Sequence, residues 1–124
     1  MLTVNYSSSN VTSFDFESFY FGCSTNLANG ATALPAQCTV TFTGYKGHDN
    51  TVSDSTEVCS HEFQYNPSTL LGTAQMASSG TISDCNGIQF AIITFTPPGG
   101  LAATADLLAL LVDDVKYKTH SSSC

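Results

Sequence analysis

The chain has 124 residues, a length that suits one domain and allows roughly two-thirds of the unfolded surface to be buried. Ten carboxylates stand against three lysines and no arginine, and the net charge of −7 excludes nucleic acid and anionic membrane surfaces as partners. The longest apolar run, Leu107–Val112, is too short to span a bilayer, so membrane insertion is not expected.

The amino-terminal third is predicted to hold two strands. Leu2–Tyr6 is a short one, and an aromatic strand follows over about Thr12–Cys23. The phenylalanines on either side of Glu17–Ser18 fall in opposite alternation phases. This slip predicts a β-bulge or a bend. A loop over Ser24–Ala36 comes next, punctuated by glycine and proline.

The middle of the chain shows the clearest alternation. Cys38–Tyr45 places apolar side chains on one face and threonines on the other, which predicts a half-buried antiparallel strand. A polar connection, Lys46–Asp54, leads to a further strand over Glu57–Tyr65. Ser68–Ser79 is predicted to be a loop with a helical turn around Leu70–Met76.

The last third is predicted to supply the remaining strands. Thr81–Cys85 reads as short and extended, and Ile88–Thr96 is apolar on both faces, which predicts a central strand covered from both sides. After the break at Pro97–Gly100, a helical or irregular segment from Leu101 is expected to lead into a strand over about Leu108–Lys118. About seven strands in all predict an all-β fold, an antiparallel β-sandwich or jelly roll.

The five cysteines favour disulfides over a zinc site, because they form no CxxC pair and are not interleaved with histidines. We expect the pairs Cys23–Cys38 and Cys59–Cys85. The first closes a loop of about fifteen residues, worth roughly 3 kcal/mol in chain entropy. For Cys124, a partner in a lost segment, a free thiol and an intermolecular bridge are all open.

Disulfides indicate an oxidising compartment. Two glycosylation sequons, at Asn5 and Asn10, agree with that compartment and predict a secreted, extracellular glycoprotein. Met1 leads straight into a polar strand, so a signal peptide is expected upstream of this chain.

Four segments together resemble small secreted fungal proteins of unknown function whose pattern is that of galactose-binding-like jelly rolls. They are Phe14–Cys23, Leu34–Gly47, Phe63–Pro67 and Leu110–Tyr117. The resemblance implies an architecture shared with many carbohydrate-binding modules. Since such domains carry further strands before the aromatic one, it also implies that amino-terminal strands of the full-length protein are missing.

The loop after the third strand is the candidate ligand site, because loops at one end of a sandwich carry binding residues. The candidate residues are Tyr45, Lys46, His48, Asp49 and Asn50. The chain has no tryptophan, so tyrosines would have to supply any flat ring for stacking on a sugar. In the alternative interpretation, the tyrosines pack at the sheet margins with their hydroxyls in water.

Asp113 and Asp114 are candidate ligands for a structural calcium, and no other cofactor is expected. The phase of Val115 and Tyr117 places Asp113 on the inward face. In the alternative role, the Asp113 carboxylate accepts a hydrogen bond from a loop backbone N–H.

No catalytic constellation is visible, so the protein is not expected to be an enzyme. His61 lies in phase with core residues and is expected to be a satisfied core or boundary histidine. Asp15 and Glu17 show no sign of the carboxylate spacing that a glycosidase needs, and no Gly-x-Ser-x-Gly motif occurs.

Two functions from different classes are open. The first is a secreted, non-catalytic β-sandwich that binds a glycan or cell-wall polymer, supported by the jelly-roll pattern. The second is a secreted structural or host-interaction protein that acts through a protein surface, supported by the absence of tryptophan. An accessory fragment of a larger carbohydrate-active enzyme is a third, weaker interpretation.

Overall fold

The computed structural model describes residues 1–25, 35–67, 75–97 and 108–121, which form seven β-strands and one turn of 3-10 helix. The strands are β1 (Leu2–Thr3), β2 (Val11–Thr25), β3 (Cys38–Lys46), β4 (Thr56–Tyr65), β5 (Ala77–Ser78), β6 (Phe90–Thr96) and β7 (Leu108–Ser121), and the 3-10 turn spans Val52–Asp54. The all-β prediction is confirmed. Within the described ranges, no helix is long and apolar enough to cross a membrane.

The strands form two antiparallel sheets that share one core. Sheet A has the order β1-β6-β3-β4, and sheet B has the order β5-β2-β7. In β3, Val40 and Phe42 are fully buried and Thr41 lies on the other face, as the alternation predicts. Buried side chains from both sheets belong to a single cluster, so the fold is the expected antiparallel β-sandwich.

β2 is the central strand of sheet B, and its rings form the middle of the core. Phe16 and Phe19 are both fully buried although they are three residues apart, because Glu17 is an extra residue in the pairing with β7. The predicted β-bulge at Glu17–Ser18 is therefore confirmed. The Phe16 ring stacks on Phe42 of β3 at 4.2 Å between centroids. Burying one such ring contributes about 1.5–3 kcal/mol.

The segment between β5 and β6 lies along the edge of β2 that β7 leaves free. The Ile82 N–H donates to the Glu17 carbonyl at 2.8 Å, and the Phe16 N–H donates to the Cys85 carbonyl at 2.9 Å. The predicted strand over Thr81–Cys85 is nevertheless wrong, because these single bonds do not form a ladder. The strand of this region is the two-residue β5.

Both predicted disulfides are present. Cys23–Cys38 joins β2 of sheet B to β3 of sheet A, and its Cα atoms lie 6.2 Å apart. Cys59–Cys85 joins β4 to the segment beside β2, with a Cα separation of 5.4 Å. All four cysteines are buried. Gly44 makes room for the second bridge, because a Cβ there would lie 2.8 Å from the Cys59 sulfur.

β6 is a central strand of sheet A, as predicted, but it is buried on both faces only at its start. Phe90 and Ala91 are fully buried, whereas Thr94 and Thr96 are exposed. Both threonines pair with threonines of β3 on the outer face of sheet A, and this part of the face is open to solvent. Three predicted features lie outside the described residues: the helical turn around Leu70–Met76 apart from its last two residues, the helical segment from Leu101, and Cys124.

Candidate functional site

The predicted ligand loop follows β3 and covers part of the outer face of sheet A. The Tyr45 ring stacks on Phe90 with centroids 5.0 Å apart and an interplanar angle of 16°. Phe90 is fully buried although it lies opposite Tyr45 on the outer face. One face of the Tyr45 ring is thus occupied, which matches the alternative that this tyrosine packs at a sheet margin.

Asn50 holds the loop to the amino terminus. Its Oδ1 accepts hydrogen bonds from Thr3 Oγ1 at 2.5 Å and from Asn5 Nδ2 at 2.9 Å, and its φ of 60° lies in the left-handed region, which asparagine tolerates. Asn5 Nδ2 also donates to the Gly47 carbonyl at 2.6 Å. We call these four residues the amino-terminal clasp. A glycan on Asn5 would replace one of these amide hydrogens, so glycosylation and the clasp compete.

The three other loop candidates are exposed, and two of them have a local polar contact. The Asp49 carboxylate accepts from the Thr51 N–H at 3.3 Å, and His48 Nδ1 lies 3.5 Å from Gln89 Nε2. Lys46 is exposed at the end of β3. The loop therefore uses Tyr45 and Asn50 for its own packing and leaves three solvated side chains.

A polar groove of about 560 Å³ lies on the outer face of sheet B, where the sequence did not predict a site. We call it the β2–β7 groove, and its polar lining is Asp15, Glu17, Ser18, Thr81, Ser83, Asn86, Lys116 and Lys118. Register explains the composition, because Lys118 lies opposite Asp15 and Lys116 lies opposite Ser18. The bulge adds Glu17 on the same side. Alternating acids at 15 and 17 and lysines at 116 and 118 were the available sequence signal.

Asp15 is the best-anchored side chain of the groove. One carboxylate oxygen accepts from His120 Nε2 at 2.9 Å, and the other accepts from the Gly87 N–H at 2.8 Å. The hydrogen bond from His120, followed by that from Gly87, lowers the pKa of the Asp15 carboxyl below its ordinary value of 3.8. Asp15 is therefore a fixed, ionised hydrogen-bond acceptor near neutral pH.

Tyr20 extends the same face of sheet B beyond the groove. It lies two residues after Ser18 in β2, opposite Ser78 of β5 and Asp113 of β7. Its side chain is 41% exposed, whereas its neighbours Phe19 and Phe21 are buried. Tyr20 therefore faces away from these two phenylalanines, and its flat ring lies on the outer face of sheet B.

The prediction that Asp113 points inward is wrong. β7 has an extra residue between Lys116 and Asp113, and Asp114 within this bulge has a φ of 48°. The bulge moves Asp113 to the outer face beside Tyr20, and both aspartates are exposed. The Asp113 carboxylate accepts from the Asp114 N–H at 2.8 Å. In the described part of the chain, no third carboxylate, imidazole or thiol is grouped with the pair, and calcium remains a prediction.

His61 and Asp84 form a close pair beside a sulfur atom. His61 Nε2 lies 2.6 Å from Asp84 Oδ1, which satisfies the histidine at the sheet boundary as predicted. The nearby Cys85 sulfur is bonded to Cys59. Because a disulfide sulfur offers no thiolate, this group lacks the third ligand that a transition metal would need.

A comparison of the chain with protein-family models, with curated proteins and with solved structures finds no match. The likeness to galactose-binding-like jelly rolls therefore rests on the sequence pattern, and it remains a prediction. The cavities and exposed side chains of the sandwich are therefore the features that indicate a function.

Proposed function

We propose that this protein is a secreted, non-catalytic β-sandwich that binds a glycan or cell-wall polymer, and that the β2–β7 groove is its binding site. The observation that carries the proposal is the groove itself. Its volume of about 560 Å³ falls within the range of small-molecule sites, and its lining concentrates polar side chains on one sheet face.

The groove offers the two kinds of group that sugar hydroxyls need. Asp15 and Glu17 accept hydrogen bonds, Lys116 and Lys118 donate them, and serine and threonine hydroxyls do both. Two carboxylates balance two lysines, so the groove is neutral overall on a chain of net charge −7. This balance favours an uncharged polysaccharide. Tyr20 supplies an exposed ring face next to the groove, on which a sugar ring can stack.

Asp15 is unsuited to the general-acid role of a glycosidase, and as an ionised carboxylate it can accept hydrogen bonds from sugar hydroxyls. A glycosidase acid must stay protonated near neutral pH, which requires a raised pKa. The hydrogen bonds from His120 and Gly87 shift the pKa of Asp15 in the opposite direction. The two buried disulfides support an oxidising, extracellular location.

A second candidate function is binding to a protein partner. The observation that favours it is a run of large apolar side chains on β7, the edge strand of sheet B: Leu111 is 49% exposed and Val112 is 39% exposed. Exposed apolar side chains on a strand edge are a common feature of protein interfaces.

A glycan array combined with pulldown on insoluble polysaccharides tests the proposal and separates the two candidates. The groove proposal predicts retention on at least one uncharged polysaccharide. Lys118→Ala should weaken this binding about tenfold, through loss of a charged hydrogen-bond donor, and Lys46→Ala, a lysine of the ligand loop, should not. If neither assay detects binding, the glycan-binding proposal is wrong. If the two variants weaken binding equally, the groove is not the binding site.

A further inference from the structure

A second cavity lies on the side of the sandwich where the edge strands β1 and β7 come together. We call it the edge pocket. Six of its side chains are apolar or aromatic, and two threonines complete the lining. The six are Leu2, Val4, Tyr6, Val11, Phe14 and Tyr117. No charged residue contributes, although the chain as a whole carries a charge of −7. A neutral, apolar group is what such a lining accepts.

The size of the edge pocket narrows the choice of ligand. Its volume is about 170 Å³. A cavity of about 150 Å³ lined by aliphatic and aromatic side chains holds one benzene molecule. Phe14 is 4% exposed at the inner end, and its ring meets that of Tyr117 edge to face at 6.2 Å. One six-membered aromatic ring fits this space and this geometry.

The outer rim consists of tyrosines. Tyr6 is 64% exposed and Tyr117 is 55% exposed. Among the described residues, neither phenolic hydroxyl has a hydrogen-bond partner, so both are free to bond to a polar group on a ligand.

The edge pocket adjoins a polar hollow of about 460 Å³, with which it shares Val4, Tyr6 and Val11. The rest of the hollow is lined by Asn5, Ser7, Ser9, Thr12, His48 and Gln89. An apolar pocket beside a hydroxyl- and amide-lined hollow suits a ligand that has one apolar part and one polar part. We propose that the edge pocket binds the aromatic ring of a neutral aryl glycoside, whose sugar lies in the polar hollow.

This site is independent of the β2–β7 groove. In β7, Tyr117 faces the edge pocket, while Lys116 and Lys118 face the groove, because neighbouring strand residues point to opposite sides of a sheet. The two cavities share no lining residue, so either proposal can fail without the other.

Methyl NMR of the intact chain, titrated with phenyl β-D-glucopyranoside, tests the inference directly. The expected result is saturable shifts of the methyl groups of Leu2, Val4 and Val11. Methyl β-D-glucopyranoside, which lacks the ring, should bind about tenfold more weakly or not at all. Val11→Phe should abolish binding by filling the pocket, and Tyr117→Ala, at a position that is 55% exposed, should weaken it by about tenfold. Val52→Ala, which shortens an exposed apolar side chain outside both cavities, is the control and should change nothing.

Four results would overturn the inference. The first is equal binding of the two glucosides, and the second is the absence of methyl shifts at millimolar probe. The third is a set of methyl shifts that depends on protein concentration alone, because it would mean that a second copy fills the pocket. Shifts confined to β2–β7 groove residues would also count against the edge pocket while supporting the groove.

Discussion

Asp15 shows how one residue links the fold to the proposed site. Its side chain links β2 by hydrogen bonds to the turn at Gly87 and to His120 near the end of β7. Both carboxylate oxygens thus have a donor, yet the residue still lines the groove opposite Lys118. An acceptor that is fixed before the ligand arrives loses little conformational entropy on binding, which favours affinity.

The lowered pKa of Asp15 predicts a pH dependence of stability. A carboxyl whose folded-state pKa lies below its unfolded value stabilises the folded protein at pH values above the unfolded pKa, and this contribution disappears as the pH falls through the folded pKa. The free energy of unfolding of the wild type should therefore exceed that of Asp15→Asn near neutral pH. The difference should shrink as the pH falls below the ordinary value of 3.8.

Urea unfolding of both proteins at a series of pH values from neutral to strongly acidic measures this difference. Asp49→Asn, which changes an exposed carboxylate bonded only to a nearby backbone N–H, is the matched control and should show a flatter profile. A constant gap between wild type and Asp15→Asn down to the lowest pH would contradict the assignment.

At the scale of elements, two bulges determine which side chains reach the groove. β2 has one extra residue at Glu17, and β7 has one extra residue between Lys116 and Asp113. Because the insertions lie on opposite strands, the pairing regains its register by Tyr20. The first bulge adds Glu17 to the groove, and the second turns Asp113 outward.

The amino-terminal clasp predicts that Asn50 stabilises the loop over sheet A. Asn50→Ala removes the acceptor for Thr3 and Asn5 and places alanine at a φ of 60°. The expected loss is about 2–3 kcal/mol of unfolding free energy. Asn50→Asp keeps an acceptor and tolerates the same φ, so it should lose less than about 1 kcal/mol. Thermal or urea unfolding measures both, and a loss below about 1 kcal/mol in Asn50→Ala would contradict the stabilising role of the clasp.

At the scale of the whole molecule, the disulfides join the two sheets and anchor the segment beside β2. Cys59–Cys85 closes a loop of 26 residues and should stabilise the protein by about 3.5 kcal/mol through the unfolded state. The double variant Cys59→Ala with Cys85→Ala should therefore lower the unfolding free energy by about that amount in urea. A loss below about 1 kcal/mol would mean that the bridge adds little to a sandwich that its core already stabilises.

Much of the sandwich could be predicted because its determinants are local. The alternation of Val40 and Phe42 and the phase slip at Glu17–Ser18 are visible in short windows of sequence. The β2–β7 groove could not be predicted from short windows of sequence. The groove depends on the register between Asp15 and Lys118, which come from opposite ends of the chain, and the bulge in β7 reversed the expected face of Asp113. Such pairings are set by tertiary packing rather than by local pattern.

The central claim, that the β2–β7 groove binds a glycan, is tested most directly by mapping the binding surface. Backbone amide shifts of the labelled chain would be followed during titration with an oligosaccharide of the polysaccharide that retains the protein best. We predict that the perturbed amides cluster at residues 15–20, 81–87 and 116–118. Perturbations confined to residues 45–50, or the absence of any saturable shift, would contradict the account.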